Sequence, residues 1–315
     1  MIKPATHSGS WYSADPSILK KQLSGWFSMA AQSQSGSRVL VGPHAGYTYC
    51  GARLAETYSV WDLSKTKRVF ILGPSHHAYF KDKVLLSLYE AYETPFGNVP
   101  VDTEICNQLK LLKDSPFQTM SESVDDEEHL FEMHMPFLVY RCQQDSAPLP
   151  KIIPILVSSL STLCRQRVVD ALSTYMDDPQ NAFVVLSDFC HWGRRFGYTA
   201  YVPNNDLGEQ VQYSQAERNG VPIYKSIEYL DRSAMMLASA GSAAEWDSYI
   251  ETTGNTICGQ KPIGILLRLI ERYKKNGGLT VTDLVFEWLG YSQSSKAVEP
   301  SDSSVSYASG HVRLN

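Results

Sequence analysis

The chain has 315 residues, 43% hydrophobic and 19% charged, an ordinary globular composition large enough for a single sizeable α/β domain. Its net charge of -5 leaves no electrostatic footprint for nucleic acid or an anionic membrane. No apolar run approaches the roughly 18 residues of a bilayer span, and no basic-then-apolar leader opens the chain. A cytoplasmic or nucleocytoplasmic protein without membrane insertion is therefore expected. Six cysteines lie far apart without a C-x-x-C pair, so reduced thiols are expected.

In chain order, the apolar periodicity predicts a helix over 15–28. The run Arg38-Val39-Leu40-Val41 reads as a strand leading into Gly42-Pro43-His44. A second strand, Val69-Phe70-Ile71-Leu72, leads into Gly73-Pro74-Ser75-His76-His77. Helices follow over 103–113 and 128–140, then a strand at Ile152-Ile153-Pro154-Ile155-Leu156-Val157 and a helix over 161–176. The strand Ala182-Phe183-Val184-Val185-Leu186 ends at Ser187-Asp188. Residues 203–220 read as a polar loop insertion. Helices over 224–241, 243–252 and 262–275 come next, then a serine-rich loop over 292–304. Short β-branched runs without alternation suit strands buried on both faces. Alternating with helices, they predict one α/β domain over 1–315, with a mixed or parallel central sheet covered by helices.

In open α/β sheets ligands bind beyond the carboxyl ends of the strands. His44, His76, His77, Asp188 and His191 all fall there. A neutral imidazole at such a position ligates metal or acts as a base near neutral pH. Spacing does not decide between His76 and His77; His76 is chosen because, like His44, it follows a Gly-Pro turn. Cys258, in Asn255-Thr256-Ile257-Cys258-Gly259, lies close to the first turn of a helix, where a lowered thiol pKa is expected. Asp188 and His191 form an Asp-x-x-His unit competent in acid–base work, although capping alone would explain Asp188. The acidic stretch Asp125-Asp126-Glu127-Glu128 reads as a solvated helix N-terminus favoured by the helix dipole. His129 and His134, five apart, lie about 140° apart around a helix and so are not a zincin pair. His129 and Glu132 share a face, which suits a supporting role or a buried ion pair.

These motifs resemble the Memo (mediator of cell motility) family. The matching blocks are His7-Ser8-Gly9-Ser10-Trp11-Tyr12, Pro43-His44-Ala45-Gly46-Tyr47, Leu72-Gly73-Pro74-Ser75-His76-His77, Glu132-Met133-His134-Met135-Pro136, Ser187-Asp188-Phe189-Cys190-His191-Trp192-Gly193, Asn255-Thr256-Ile257-Cys258-Gly259 and Ser303-Ser304-Val305-Ser306-Tyr307-Ala308. The resemblance implies a fold similar to class III extradiol (LigB-like) dioxygenases. It implies a metal site at His44, His76 and Cys258, with Asp188 and His191 as the facing acid–base group. Trp11, Tyr49 and Arg195 would line the pocket, and Glu132 and His134 would support the ligands. It implies iron (Fe2+) or copper, with zinc as a further option, and redox chemistry. With a thiol where the dioxygenases place a carboxylate, ring cleavage is not expected; the softer donor favours metal retention. The family further implies links to the cytoskeleton, cell motility and invasive growth through protein partners. Phosphotyrosine peptide binding would carry over only by analogy with animal members. The polar insertion at 203–220 points to a fungal or other microbial member.

Three functions compete. A redox-active metal protein ranks first. A binding module using the pocket for an anionic peptide or other ligand, with Arg194 or Arg195 near it, ranks second. A metal-independent enzyme, with Cys258 as nucleophile, His44 or His191 as base and Asp188 as orienter, ranks last.

Overall fold

The computed structural model describes residues 1–213, 220–277 and 286–314. The chain runs through β1 (Ile2–Lys3), α1 (Pro16–Phe27), β2 (Ser37–Gly42), α2 (Tyr47–Ser59), β3 (Arg68–Pro74), β4 (Val84–Leu86), β5 (Ala91–Tyr92), β6 (Val99–Pro100) and α3 (Thr103–Lys110). It continues with β7 (Phe117–Thr119), α4 (Glu122–Glu127), α5 (Leu130–Gln144), β8 (Lys151–Val157), α6 (Thr162–Asp177), β9 (Asn181–Leu186), β10 (His191–Trp192), β11 (Ala200–Tyr201) and β12 (Val211–Gln212). The last elements are α7 (Ile223–Ala240), α8 (Ala243–Thr253), α9 (Gln260–Lys275), β13 (Glu287–Gln293) and β14 (Ser304–Arg313).

The central sheet has the order β10-β14-β2-β9-β3-β8-β4-β7, with β13 paired to β14 off that path. Strands β2, β9, β3 and β8 run parallel, while β14 and β4 join antiparallel, so the sheet is mixed. Every residue of β2 and β9 is buried, as the unbroken apolar runs predict. Each fully buried Val, Ile or Leu contributes about 1.5–3 kcal/mol relative to an exposed one. Helices cover the sheet in two groups. In one, α2 and α5 pack onto β2, β3 and β14 with α1 against them; in the other, α6 and α9 pack onto β3 and β9 with α8 against α9.

Local chemistry sets the helix limits. Asp15 accepts from the Ser17 and Ile18 amides and Pro16 opens α1. Ser161 and Ser242 cap α6 and α8, and Gly241 and Gly254 end α7 and α8 in the left-handed conformation. From Leu130 to Cys142, α5 is buried without interruption, so it is an interior helix rather than an amphipathic surface one.

One helix goes beyond the expectations, and two expectations need correction. The segment after His44, which the apolar periodicity leaves unassigned, is α2, whose Tyr47, Cys50, Leu54 and Tyr58 are buried. The serine-rich span 292–304 is loop only between β13 and β14, and these strands form an antiparallel hairpin on the sheet. The insertion at 203–220 is not all loop: β12 pairs with β11, and Tyr213 packs against Trp192 and Tyr201. Residues 214–219 of that span lie outside the described residues.

Candidate metal centre

Three adjacent parallel strands deliver the candidate residues. His44 follows β2, His76 follows β3, and Asp188 follows β9, which lies between them. His44 and His76 face each other with their Nε2 atoms 3.4 Å apart. Cys258 approaches His44 from the other side, Sγ to Nε2 3.6 Å. His44 is buried, and its Nδ1 finds no hydrogen-bond partner among the described residues. Its polar side-chain contacts therefore run through Nε2. His77 is exposed, its ring 6.4 Å from that of His76 and 6.3 Å from that of His129.

The backbone around these residues is held from behind. His134, on α5, donates from Nε2 to the Pro43 carbonyl at 2.8 Å and accepts at Nδ1 from the Tyr58 hydroxyl at 2.9 Å. Burial pushes its pKa down to about 3, so it is neutral and its bonds fix the turn before His44. The His44 amide donates to Asp188 Oδ1 at 2.9 Å. Glu128 accepts from both the His76 amide and His76 Nδ1, each at 2.9 Å. That fixes the His76 tautomer and leaves the Nε2 lone pair facing His44. Glu132 accepts from the His7 amide, His7 Nδ1, the Thr6 hydroxyl and the Tyr12 hydroxyl. It thereby anchors the N-terminal turn that carries Trp11.

Cys258 differs from expectation. It does lie close to the start of α9, two residues before it with Gly259 as the N-cap, but its thiol is not activated there. Burial raises its thiol pKa well above the usual value, and the nearby Asp188 carboxylate adds to the effect. The expected lowering is therefore absent. Asp188 and Cys258 are coupled through the backbone: the Asp188 amide donates to Cys258 Sγ at 3.2 Å, and the Cys258 amide donates to the Asp188 carbonyl at 3.3 Å. Gly259 makes that approach possible, since a Cβ there would lie 2.3 Å from the Ser187 Cβ and 2.7 Å from the Leu186 carbonyl oxygen. Burial also pushes the Asp188 carboxyl up to about 7.

The acidic stretch is not a solvated helix start. Asp125 and Glu128 are buried: Asp125 accepts from the Ser87 hydroxyl and Leu88 amide and faces Lys3, while Glu128 serves His76. Only Asp126 and Glu127 of that run are exposed.

The pocket is a cleft of about 520 Å³ lined in part by Trp11, His44, Tyr49, His76, His129 and Asp188. His191, Arg195 and Phe196 also line it. His191 Nδ1 donates to the Phe189 and Thr256 carbonyls at 2.9 and 3.1 Å. Its Nε2 is then the ring nitrogen available to the cleft. Trp11, Tyr49 and Arg195 are exposed at the opening.

Sequence reasoning gives His129 only a supporting role or a buried ion pair. With His44 and His76 it forms a group of possible ligand atoms all within 4.8 Å of one another, and Cys258 lies outside that group. His129 is also the N-cap of α5. A histidine at a helix start, next to a carboxylate, was the signal that pointed to it.

The sequence profile of the Memo-like protein family matches residues 3–311. The chain belongs to the Memo-like family. It is 41% identical to the MEMO1 family protein MHO1 of Saccharomyces cerevisiae, over 99% of both chains. It is 41% identical to Protein MEMO1 of Xenopus laevis over 98% of this chain and 97% of that one, and 40% identical to Protein MEMO1 of Homo sapiens over 100% and 98%. Among the described residues of this Memo-like chain, no helix is long and apolar enough to cross a membrane.

Proposed function

We propose that this Memo-like chain holds iron or copper between His44, His76 and Cys258 and serves as a redox-active metal protein. The observation that carries the reading is the pair of contacts His44 Nε2 makes, 3.4 Å to His76 Nε2 and 3.6 Å to Cys258 Sγ. For metal–nitrogen bonds of about 2.0–2.1 Å and a metal–sulfur bond of about 2.3 Å, tetrahedral ligand–ligand edges are about 3.4 and 3.6 Å. The carboxylate of Glu128 behind His76 is the usual orienting partner of a ligating imidazole. The third edge, from Cys258 to His76, is longer and has to close on binding. Two imidazoles and a thiol suit Cu(I), Zn(II) or Fe(II) rather than a hard cation. Iron or copper would supply one-electron chemistry, for which the side chains of the pocket have no substitute.

The protein groups have separable tasks. His191, neutral because burial lowers its pKa, takes or returns a proton at Nε2. Asp188 fixes the His44 backbone and can carry a proton near neutral pH. Trp11 and Tyr49 form the aromatic entrance, and Arg195, stacked 4.4 Å from the Phe196 ring, offers a cation there. A role in cytoskeletal and motility control, in the cytoplasm or nucleus, belongs to the same proposal through the family.

The test is elemental analysis of protein purified without chelator. Stoichiometric iron or copper, lost in His44→Ala, is expected; no metal in wild type, or equal metal in both, would sink the reading. A second reading, a module binding an anionic peptide or other ligand, draws on the exposed Arg195 beside the aromatic entrance. It predicts that Arg195→Ala loses partners in pull-downs while keeping its metal content. The cysteine-nucleophile reading is disfavoured by the raised Cys258 pKa.

A further inference from the structure

We propose that His77, Glu128 and His129 form a second cation site at the rim of the same cleft, suited to a divalent first-row transition ion. The possible ligand atoms of these three residues lie within 4.8 Å of one another. Two imidazoles and a carboxylate match such an ion and not calcium or magnesium, which take oxygen donors. None of the three is consumed by other bonds. Neither ring nitrogen of His77 or His129 makes a hydrogen bond among the described residues. A carboxylate has about four lone-pair sites, and His76 takes two of those on Glu128 through its amide and Nδ1.

The His129 Nδ1 already lies 3.9 Å from Glu128 Oε1. A cation bonded to both at about 2.0–2.2 Å would draw them to about 3.4 Å, a contraction of about half an ångström. His77 is exposed, with its ring edge-on to those of His76 and His129. His129 lines the same cleft as His44 and His76, and the carboxylate of the site is the one that holds His76 in place. A cation there would rest on the same Glu128 that orients the ligand of the first site.

Cobalt(II) is the probe. Metal-free, full-length protein should take two equivalents. One gives a thiolate-to-cobalt charge-transfer band that Cys258→Ala abolishes, and the other gives ligand-field bands alone. His77→Ala should weaken the second equivalent at least tenfold and leave the charge-transfer band intact; His129→Ala should weaken the second equivalent likewise. Because His77 is exposed, metal-free His77→Ala should melt with wild type, which excludes misfolding. The absence of any equivalent that His77→Ala weakens, whether wild type takes one or two, overturns the proposal. A His77-dependent equivalent without any charge-transfer band upholds it and instead removes Cys258 from the first site.

Discussion

At the scale of single residues, the structure shows how few atoms each candidate ligand leaves free. His76 has its Nδ1 committed to Glu128 and only Nε2 facing His44. Replacing that partner, Glu128→Gln, should lower metal affinity about 10–100-fold, as loss of such orienting partners does, read by competition with a chromogenic chelator. Unchanged affinity would mean that His76 needs no orientation. Cys258 carries a raised pKa in the metal-free pocket, so little thiolate exists at pH 7. Iodoacetamide should therefore label it more slowly than a free thiol, and faster labelling would contradict the burial argument. Sequence chemistry singled out His44, His76 and Asp188 as turn residues after buried strands and Cys258 as a thiol beside a helix start, all of them local signals. It misjudged the Cys258 environment and the burial of Asp125 and Glu128, since desolvation depends on what other elements bring alongside. His129 reads only as a supporting residue because its neighbours His44 and His76 come from the ends of β2 and β3, far away in sequence.

At the scale of elements, legibility followed hydrophobic pattern. Strands β2, β3, β8 and β9 are continuous apolar runs and were readable, as were the capped helices α1, α6 and α8. Helix α2 was not, since Gly46-Tyr47-Thr48-Tyr49-Cys50-Gly51 contains glycines and residues of low helix propensity, and it forms because Tyr47, Cys50 and Leu54 bury against the core. The hairpin β13–β14 is rich in Ser and Gly and reads as loop; its strands are specified by pairing with β2 and with each other. The junction of β9 and α9 has no spare volume. Gly259→Ala should destabilise the protein by about 1–3 kcal/mol through overpacking against Ser187 and Leu186, read as a shift of the urea midpoint. A midpoint equal to wild type would show that the junction relaxes freely.

For the whole molecule, two buried groups make stability depend on pH in opposite senses. His134 has its pKa lowered from 6.5 to about 3, so the unfolded chain binds the extra proton first. Its stabilising contribution is complete above 6.5 and is lost as pH falls towards 3. Asp188 has its pKa raised from 3.8 to about 7, so the native state keeps the extra proton. Its contribution is complete below 3.8 and is lost as pH rises towards 7. In metal-free protein between pH 4 and 6.5, His134→Gln should make stability fall more steeply with rising pH, and Asp188→Asn should make it rise more steeply. Parallel curves for all three proteins would contradict these assignments. The central claim is a metal held jointly by β2, β3 and the loop before α9, and X-ray absorption at the metal edge of chelator-free protein tests it most directly. The account predicts iron or copper with nitrogen scatterers near 2.0–2.1 Å and one sulfur near 2.3 Å, the sulfur shell lost in Cys258→Ala. No metal edge, or a first shell that Cys258→Ala leaves unchanged, would contradict it.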